Sequence, residues 1–216
     1  MKEKLSFKKI EKNKGFSLIE LLMVSAIFFI VLGATLFKQS RFSSDILISN
    51  TAYDVALSIR EAQVFGVGSR EADISDPAQG LAYGVHFDAT DLGGYKTFLD
   101  GKEANLDFSY DATEEIEAVS LTREQKVKTY AVYDGEGNWT ELPGSLDIVF
   151  KKPDLDARIR VPEAGARNFP EARIMVQSSL GDKCRVVSVT AVGQISVLPI
   201  CSEADTCSYE CLVAAN

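Results

Sequence analysis

The chain has 216 residues, 46% of them hydrophobic and 25% charged, with six prolines. That composition suits a folded protein without long disorder or low complexity, and the sequence shows no internal repeat. A net charge of −8 excludes bulk electrostatic capture of nucleic acid.

Residues 1–15 hold six Lys and two Glu. Directly after them, Phe16 to Phe37 form an apolar run with a single charge, Glu20. At about 1.5 Å per helical residue the run is roughly 33 Å long, enough to cross a bilayer core of about 30 Å. A secretory signal peptide has a shorter apolar core with its cleavage site behind it. Here the basic segment and its glycine precede the core. Removal of residues 1–15 leaves the helix on the chain and lowers the net charge by four, from −8 to −12. Basic residues ahead of the span keep the leader in the cytoplasm and direct the rest to export. A carboxylate inside a membrane helix costs about 2.5–3.5 kcal/mol at the bilayer centre and less near the interface. Glu20 therefore needs a cation, and the amine of a trimmed Phe16, its own or a neighbour's, is the nearest; the alternative is a carboxylate resting among head groups.

The stretch Lys14-Gly15-Phe16-Ser17-Leu18-Ile19-Glu20-Leu21-Leu22 resembles the type III signal of type IV pilins and type II secretion pseudopilins. The resemblance implies a prepilin peptidase that cuts between Gly15 and Phe16 and methylates Phe16, and an assembly role for Glu20. It implies a single-pass protein of the cytoplasmic (inner) membrane whose C-terminal domain is exported, then a periplasmic or extracellular filament. Its partners are other pilin or pseudopilin subunits, the inner-membrane assembly platform and, before assembly, lipid. Where many family members carry a proline, this chain has Phe37, so no kink is placed there.

The domain reading is a cleaved basic leader (1–15), a transmembrane helix (16–37), an amphipathic continuation (38–66) and a globular β-rich domain with a Cys-containing tail (67–216). Ile48, Ala52, Val55, Ile59, Ala62 and Phe65 recur at helical spacing, and Gly66 and Gly68 supply a stop. One helix of about 48 residues follows, its second half packed on the domain. Asp73, Ser75, Asp76, Pro77 and Gly80 mark a loop. Then the period changes to two. Tyr83–Asp88 and Tyr95–Leu99 are strands around a turn from Asp88 to Gly94. Further strands are predicted at Ile116–Leu121, Val127–Tyr133, Leu146–Phe150, Ala157–Val161, Arg173–Gln177, Arg185–Ala191 and Gln194–Leu198. Asp134–Asn138 is a hairpin loop before Trp139, and Val192–Gln194 a short turn. The fold class is α+β: a long N-terminal helix on a mainly antiparallel sheet domain. Tyr83–Asp88, its turn, Tyr95–Asp100 and the late Ser188–Ser196 stretch resemble the H-type minor pseudopilin and FimT-like group.

Cys184, Cys201, Cys207 and Cys211 all lie near the end of the chain. An even number in an exported domain favours disulfides. Of the three pairings, Cys184–Cys201 with Cys207–Cys211 closes two local loops and is the one expected. Zinc and free thiols are alternatives, but no C-x-x-C pair is present.

His86, the one histidine, reads as a surface or partly packed strand residue, since no G-x-S-x-G or H-E-x-x-H element accompanies it. Asp88…Asp91 and Asp134…Glu136 read as solvated turns rather than calcium loops, and Gly66-Val67-Gly68 lacks the rest of a dinucleotide loop. Lys151, Lys152, Arg158, Arg160, Arg167 and Arg173 are interleaved with acids and read as charge-balanced edges. No cofactor motif, metal site or catalytic constellation emerges. The functional reading is a minor pilin or pseudopilin of a type IV pilus or type II secretion pseudopilus, not an enzyme. The alternative is a minor pilin that captures DNA or a surface for uptake or adhesion.

Overall fold

The computed structural model describes residues 15–68, 82–101, 106–121, 125–165, 167–179, 181, 183–199, 201 and 207–214, the side chains of residues 36–44 excepted. The leader, apart from Gly15, and the predicted loop from Asp73 to Gly80 lie outside the described residues. The chain forms two units, Met1–Phe42 and Ser43–Asn216. Helix α1 (Leu18–Gly68) begins in the first and ends in the second.

From Leu18 to Thr35 α1 carries one charge, Glu20, and no residue of that stretch is buried. Its hydroxyls are satisfied internally: Ser25 Oγ donates to Leu22 O and Thr35 Oγ1 to Leu32 O. This removes their need for water.

In the second unit the helical stripe is real. Ile48, Ala52, Val55, Ile59 and Ala62 are buried, and Phe65 packs against the same core. Gly66, expected as a stop, lies inside the helix. A Cβ there would stand 2.4 Å from Phe150 O, so the glycine is needed for close approach to the sheet.

The single sheet expected from the strand pattern is two. The strands are β1 (Ala82–Asp88), β2 (Asp91–Asp100), β3 (Glu115–Ser120), β4 (Lys126–Tyr133), β5 (Trp139–Glu141), β6 (Leu146–Lys151), β7 (Ala157–Arg160), β8 (Glu171–Gln177), β9 (Cys184–Thr190) and β10 (Ile195–Val197). One sheet runs β3-β2-β1-β6-β7 and the other β10-β9-β8-β4-β5. Every pairing is antiparallel. The inner face of the first brings Tyr83, Val85, Phe87, Ile148 and Phe150 to the α1 stripe; the second brings Val132, Ile174, Val187 and Val189. The turn between β1 and β2 is shorter than expected. Asp88 pairs with Asp91, and the segment from Asp91 to Gly94 is strand. Gly94 permits this, because a Cβ there would meet Val119 O at 2.2 Å.

The tail forms a second short helix, α2 (Tyr209–Ala214), that the sequence pattern did not reveal. It covers the outer face of the second sheet, where Leu212 and Cys207 join Ala131, Met175, Cys184 and Val186 in a buried cluster. Arg173 stacks on Trp139 at 4.3 Å and donates to the carbonyls of Leu212 and Val213, capping the end of α2.

The disulfides correct the expected pairing. Cys184 bonds Cys207 and Cys201 bonds Cys211, with Cα separations of 5.4 and 6.2 Å. Cys184 and Cys201 do meet as backbones, with Cys201 N donating to Cys184 O at 3.1 Å, yet their sulfurs go elsewhere. Loop length was a poor guide. Doubling a loop costs only about 0.6 kcal/mol in closure entropy, less than burying one large apolar side chain such as Leu212 returns.

Gln63 ties α1 to the domain. It is buried, and its Nε2 donates to Leu155 O at 2.9 Å and to Gly193 O at 3.0 Å. Gly193 has φ of +83°, and a Cβ there would stand 2.0 Å from Leu155 O. Gln63→Ala leaves both carbonyls without their donor and should destabilise the domain by about 1–3 kcal/mol. Gly193→Ala adds backbone strain and overlap and should cost at least as much, about 1–3 kcal/mol from the strained φ alone. Urea unfolding in detergent, followed by Trp139 fluorescence, measures both; an unchanged midpoint for either variant contradicts this account.

Candidate functional site

Gly15 to Ser17 precede α1 without regular secondary structure. Gly15 has nothing within 4 Å of its Cβ position, and Phe16 is 86% exposed. Among the described residues nothing covers the Gly15–Phe16 peptide bond. Ser17 starts the helix: Glu20 N donates to Ser17 Oγ at 3.3 Å, and Leu21 N to Ser17 O at 3.2 Å. Ser17 and Glu20 have the spacing of a capping box. The Glu20 carboxylate sits in the first turn, where the helix dipole favours negative charge. It has no partner among the described residues.

Residues 11–36 match the family described as the prokaryotic N-terminal methylation motif. The motif implies processing by prepilin peptidase and assembly with other pilins. With the one helix among the described residues that is long and apolar enough to cross a membrane, it fits a single-pass, membrane-anchored protein. Pilin-type families are structural rather than catalytic. No curated relative and no solved structure matches the chain.

The globular unit holds polar groups that the sequence pattern did not connect. His86 is more enclosed than expected, only 6% exposed. Its Nδ1 lies 2.6 Å from Asp147 Oδ1, and its ring stacks on Tyr110 at 4.1 Å. Asp147 Oδ2 accepts from Ser109 Oγ and Tyr110 N, each at 3.1 Å. The serine bonds the carboxylate and not the imidazole, so the order needed for a nucleophile activated by a base is missing. What the group does is fasten the segment around Ser109 and Tyr110 to the outer face of the first sheet.

The acidic turns engage their own backbones. Asp88 Oδ1 accepts from Thr90 N and Oγ1 at 2.7 Å, and Asp91 Oδ1 from Gly93 N at 3.2 Å. Asp134 accepts from Glu136 N, Asn138 N and Asn138 Nδ2. These bonds hold the Asp88 and Asp134 carboxyls below their usual range. Among the described residues no group of three or more His, Cys, Asp or Glu side chains is placed to hold a metal.

The basic residues divide. Arg173 is buried against Trp139, and Arg167 lies over Phe169. Lys151, Arg158 and Arg160 converge instead on the ring of Phe108, at 6.0, 4.3 and 5.5 Å. None of these three has a carboxylate partner among the described residues.

Asp100 and Glu114 form a buried acidic pair. Asp100 Oδ2 accepts from Phe108 N at 2.7 Å, and Glu114 Oε1 from Gly101 N at 3.1 Å. Burial pushes Asp100 up to about 6, with the Asp107 charge adding to the rise. Burial likewise pushes Glu114 up to about 6, helped by Asp100 and Asp107. A carboxyl that holds its proton more tightly when folded gives full stability below its unfolded pKa and loses it as pH rises through the folded one. Stability should therefore fall between about pH 4 and about pH 6, by roughly 1.4 kcal/mol per unit of raised pKa. Urea titrations across that range, on wild type and on Asp100→Asn with Glu114→Gln, should show a slope that the double variant lacks. Equal slopes in the two proteins sink the assignment.

Proposed function

We propose that the chain is a minor pilin or pseudopilin, made as a membrane-anchored precursor and drawn into a type IV pilus or a type II secretion pseudopilus. The observation that carries this is the methylation motif at residues 11–36, joined to an apolar helix that buries nothing in its own chain. Prepilin peptidase removes residues 1–15 at the exposed Gly15–Phe16 bond and methylates the new amine of Phe16. Residues 16–37 then leave lipid for the helices of neighbouring subunits at the inner-membrane assembly platform. The apolar area changes its cover without meeting water. Glu20 meets the Phe16 amine of a neighbour, which neutralises both charges and fixes the axial step. The unit Ser43–Asn216 is exported. On its helix, Ile46, Tyr53, Leu57 and Val64 are exposed at helical spacing, a second apolar face suited to packing between subunits.

A second reading, capture of DNA or an anionic surface, draws support from Lys151, Arg158 and Arg160 around Phe108. It predicts binding that weakens steeply with salt. A gel-shift titration of the detergent-solubilised chain separates it from a purely structural subunit.

Expression with and without a prepilin peptidase, followed by intact mass measurement, tests processing. The expected product begins at Phe16 and carries one methyl group; trimming at another bond would falsify the processing claim. Glu20→Ala should insert in the membrane and be cleaved, yet enter filaments poorly. Wild-type filament yield from that variant removes the register role of Glu20.

A further inference from the structure

Three observations on the globular unit converge at one place that the pilin-like reading does not use. The first is an open groove of about 500 Å³ between α1 and the first sheet, lined by Ala62, Phe65, Tyr83, Leu99, Ile116 and Val119. The second is the strand beside it. β3 is the edge of its sheet, bonded only to β2, and nearly all of it is exposed, Ile116 at 55%. Leu121 N donates to Gly93 O at 2.8 Å, which fixes the alternation of the ladder. Glu117 and Val119 turn their backbone groups to β2, while Ala118 and Ser120 turn theirs outward. Among the described residues nothing bonds to that outer edge. The opposite edge of the same sheet is closed: Ile159 N donates to Asn168 Oδ1 at 2.6 Å and Phe169 N to Ile159 O at 3.0 Å.

The third observation is charge. Glu61 and Glu117 line the groove, and Asp54 stands near them along α1. None has an ion pair among the described residues. Their field is felt by the Tyr95 hydroxyl, which bonds Ser58 Oγ at 2.7 Å. Burial raises that hydroxyl above its usual pKa, and Asp54, Glu117 and Glu61 add to the rise. An unpaired edge with a row of acids repels a second copy of itself, a common defence against self-association. The same acids attract a strand that brings cations.

We propose that the groove and the outer edge of β3 together receive an extended segment of a partner protein, which adds as a strand and presents Lys or Arg beside an aliphatic residue at alternate positions. The backbone of the segment pairs with Ala118 and Ser120. Its aliphatic side chain enters the groove beside Ile116 and Val119. The stems of its basic side chains lie on Phe65 and Leu99, and their heads reach Glu61 and Glu117. The site lies wholly within Ser43–Asn216 and does not depend on how the N-terminal helix is processed.

The probe is a labelled, end-blocked peptide, Thr-Lys-Thr-Val-Thr-Lys-Thr, with the same peptide carrying Glu for Lys as its control. Fluorescence polarisation with the full chain in detergent micelles reads binding. The Lys peptide should bind about tenfold or more tighter than the Glu peptide. Ala118→Pro removes one outward N–H while leaving the bonds to β2, and should weaken the Lys peptide at least about tenfold. Glu61→Lys with Glu117→Lys should reverse the preference between the peptides. Thermal melts check that each variant is folded; should Ala118→Pro unfold the domain, Ser120→Pro removes the neighbouring outward N–H. No binding of the Lys peptide up to about 1 mM overturns the proposal. So does binding indifferent to both prolines, which leaves only charge attraction, or a preference unchanged by the double reversal.

Discussion

An apolar helix that finds no cover in its own chain must find it elsewhere, and the assembly proposed for this protein follows from that demand. From Leu18 to Thr35 no side chain is buried by the rest of the molecule. Lipid can supply the cover, and so can other helices of the same kind. The two differ little in how well they shelter apolar surface, so exchange between them need not pass through water. What distinguishes the two states is polar. In the proposed assembly the Glu20 carboxylate, in the first helical turn, supplies that difference, since its need for a cation would give direction to an otherwise featureless exchange.

The other half of the helix obeys the opposite rule. Ile48, Ala52, Val55, Ile59 and Ala62 are covered by two sheets at once. Gln63 and Gly66 then lock the helix in place, one by reaching two loop carbonyls and the other by letting the Phe150 backbone come close. The chain passes between the sheets repeatedly: β1 to β3 in the first, β4 and β5 in the second, β6 and β7 back in the first, and β8 to β10 in the second. That weave makes one core from both.

The helix, its stripe and nearly every strand were legible in the sequence because each has a period that local sterics enforce. The signal from Gly15 to Glu20 was legible for another reason: fixed offsets at the mouth of an apolar run are rare. Three things were not legible. The division into two sheets depends on which strands pair across long separations, and alternation says nothing about partners. The Asp147 partner of His86 and the Asp100–Glu114 pair were hidden for the same cause, since each joins residues brought together only by the fold. The cysteine pairing failed because α2 was not foreseen, and that helix decides where Cys207 and Cys211 go.

The doubly bridged tail has a consequence for where the protein is finished. Met175 and Val186 are hidden on the outer side of their sheet with the end of the chain tied down beside them. In a reducing cytosol the flap is tethered only by packing and a few hydrogen bonds, and a greasy patch is within reach of chaperones and neighbours. In an oxidising compartment it is latched shut. The compartment's chemistry, not the sequence alone, thus sets which face this domain shows to the world.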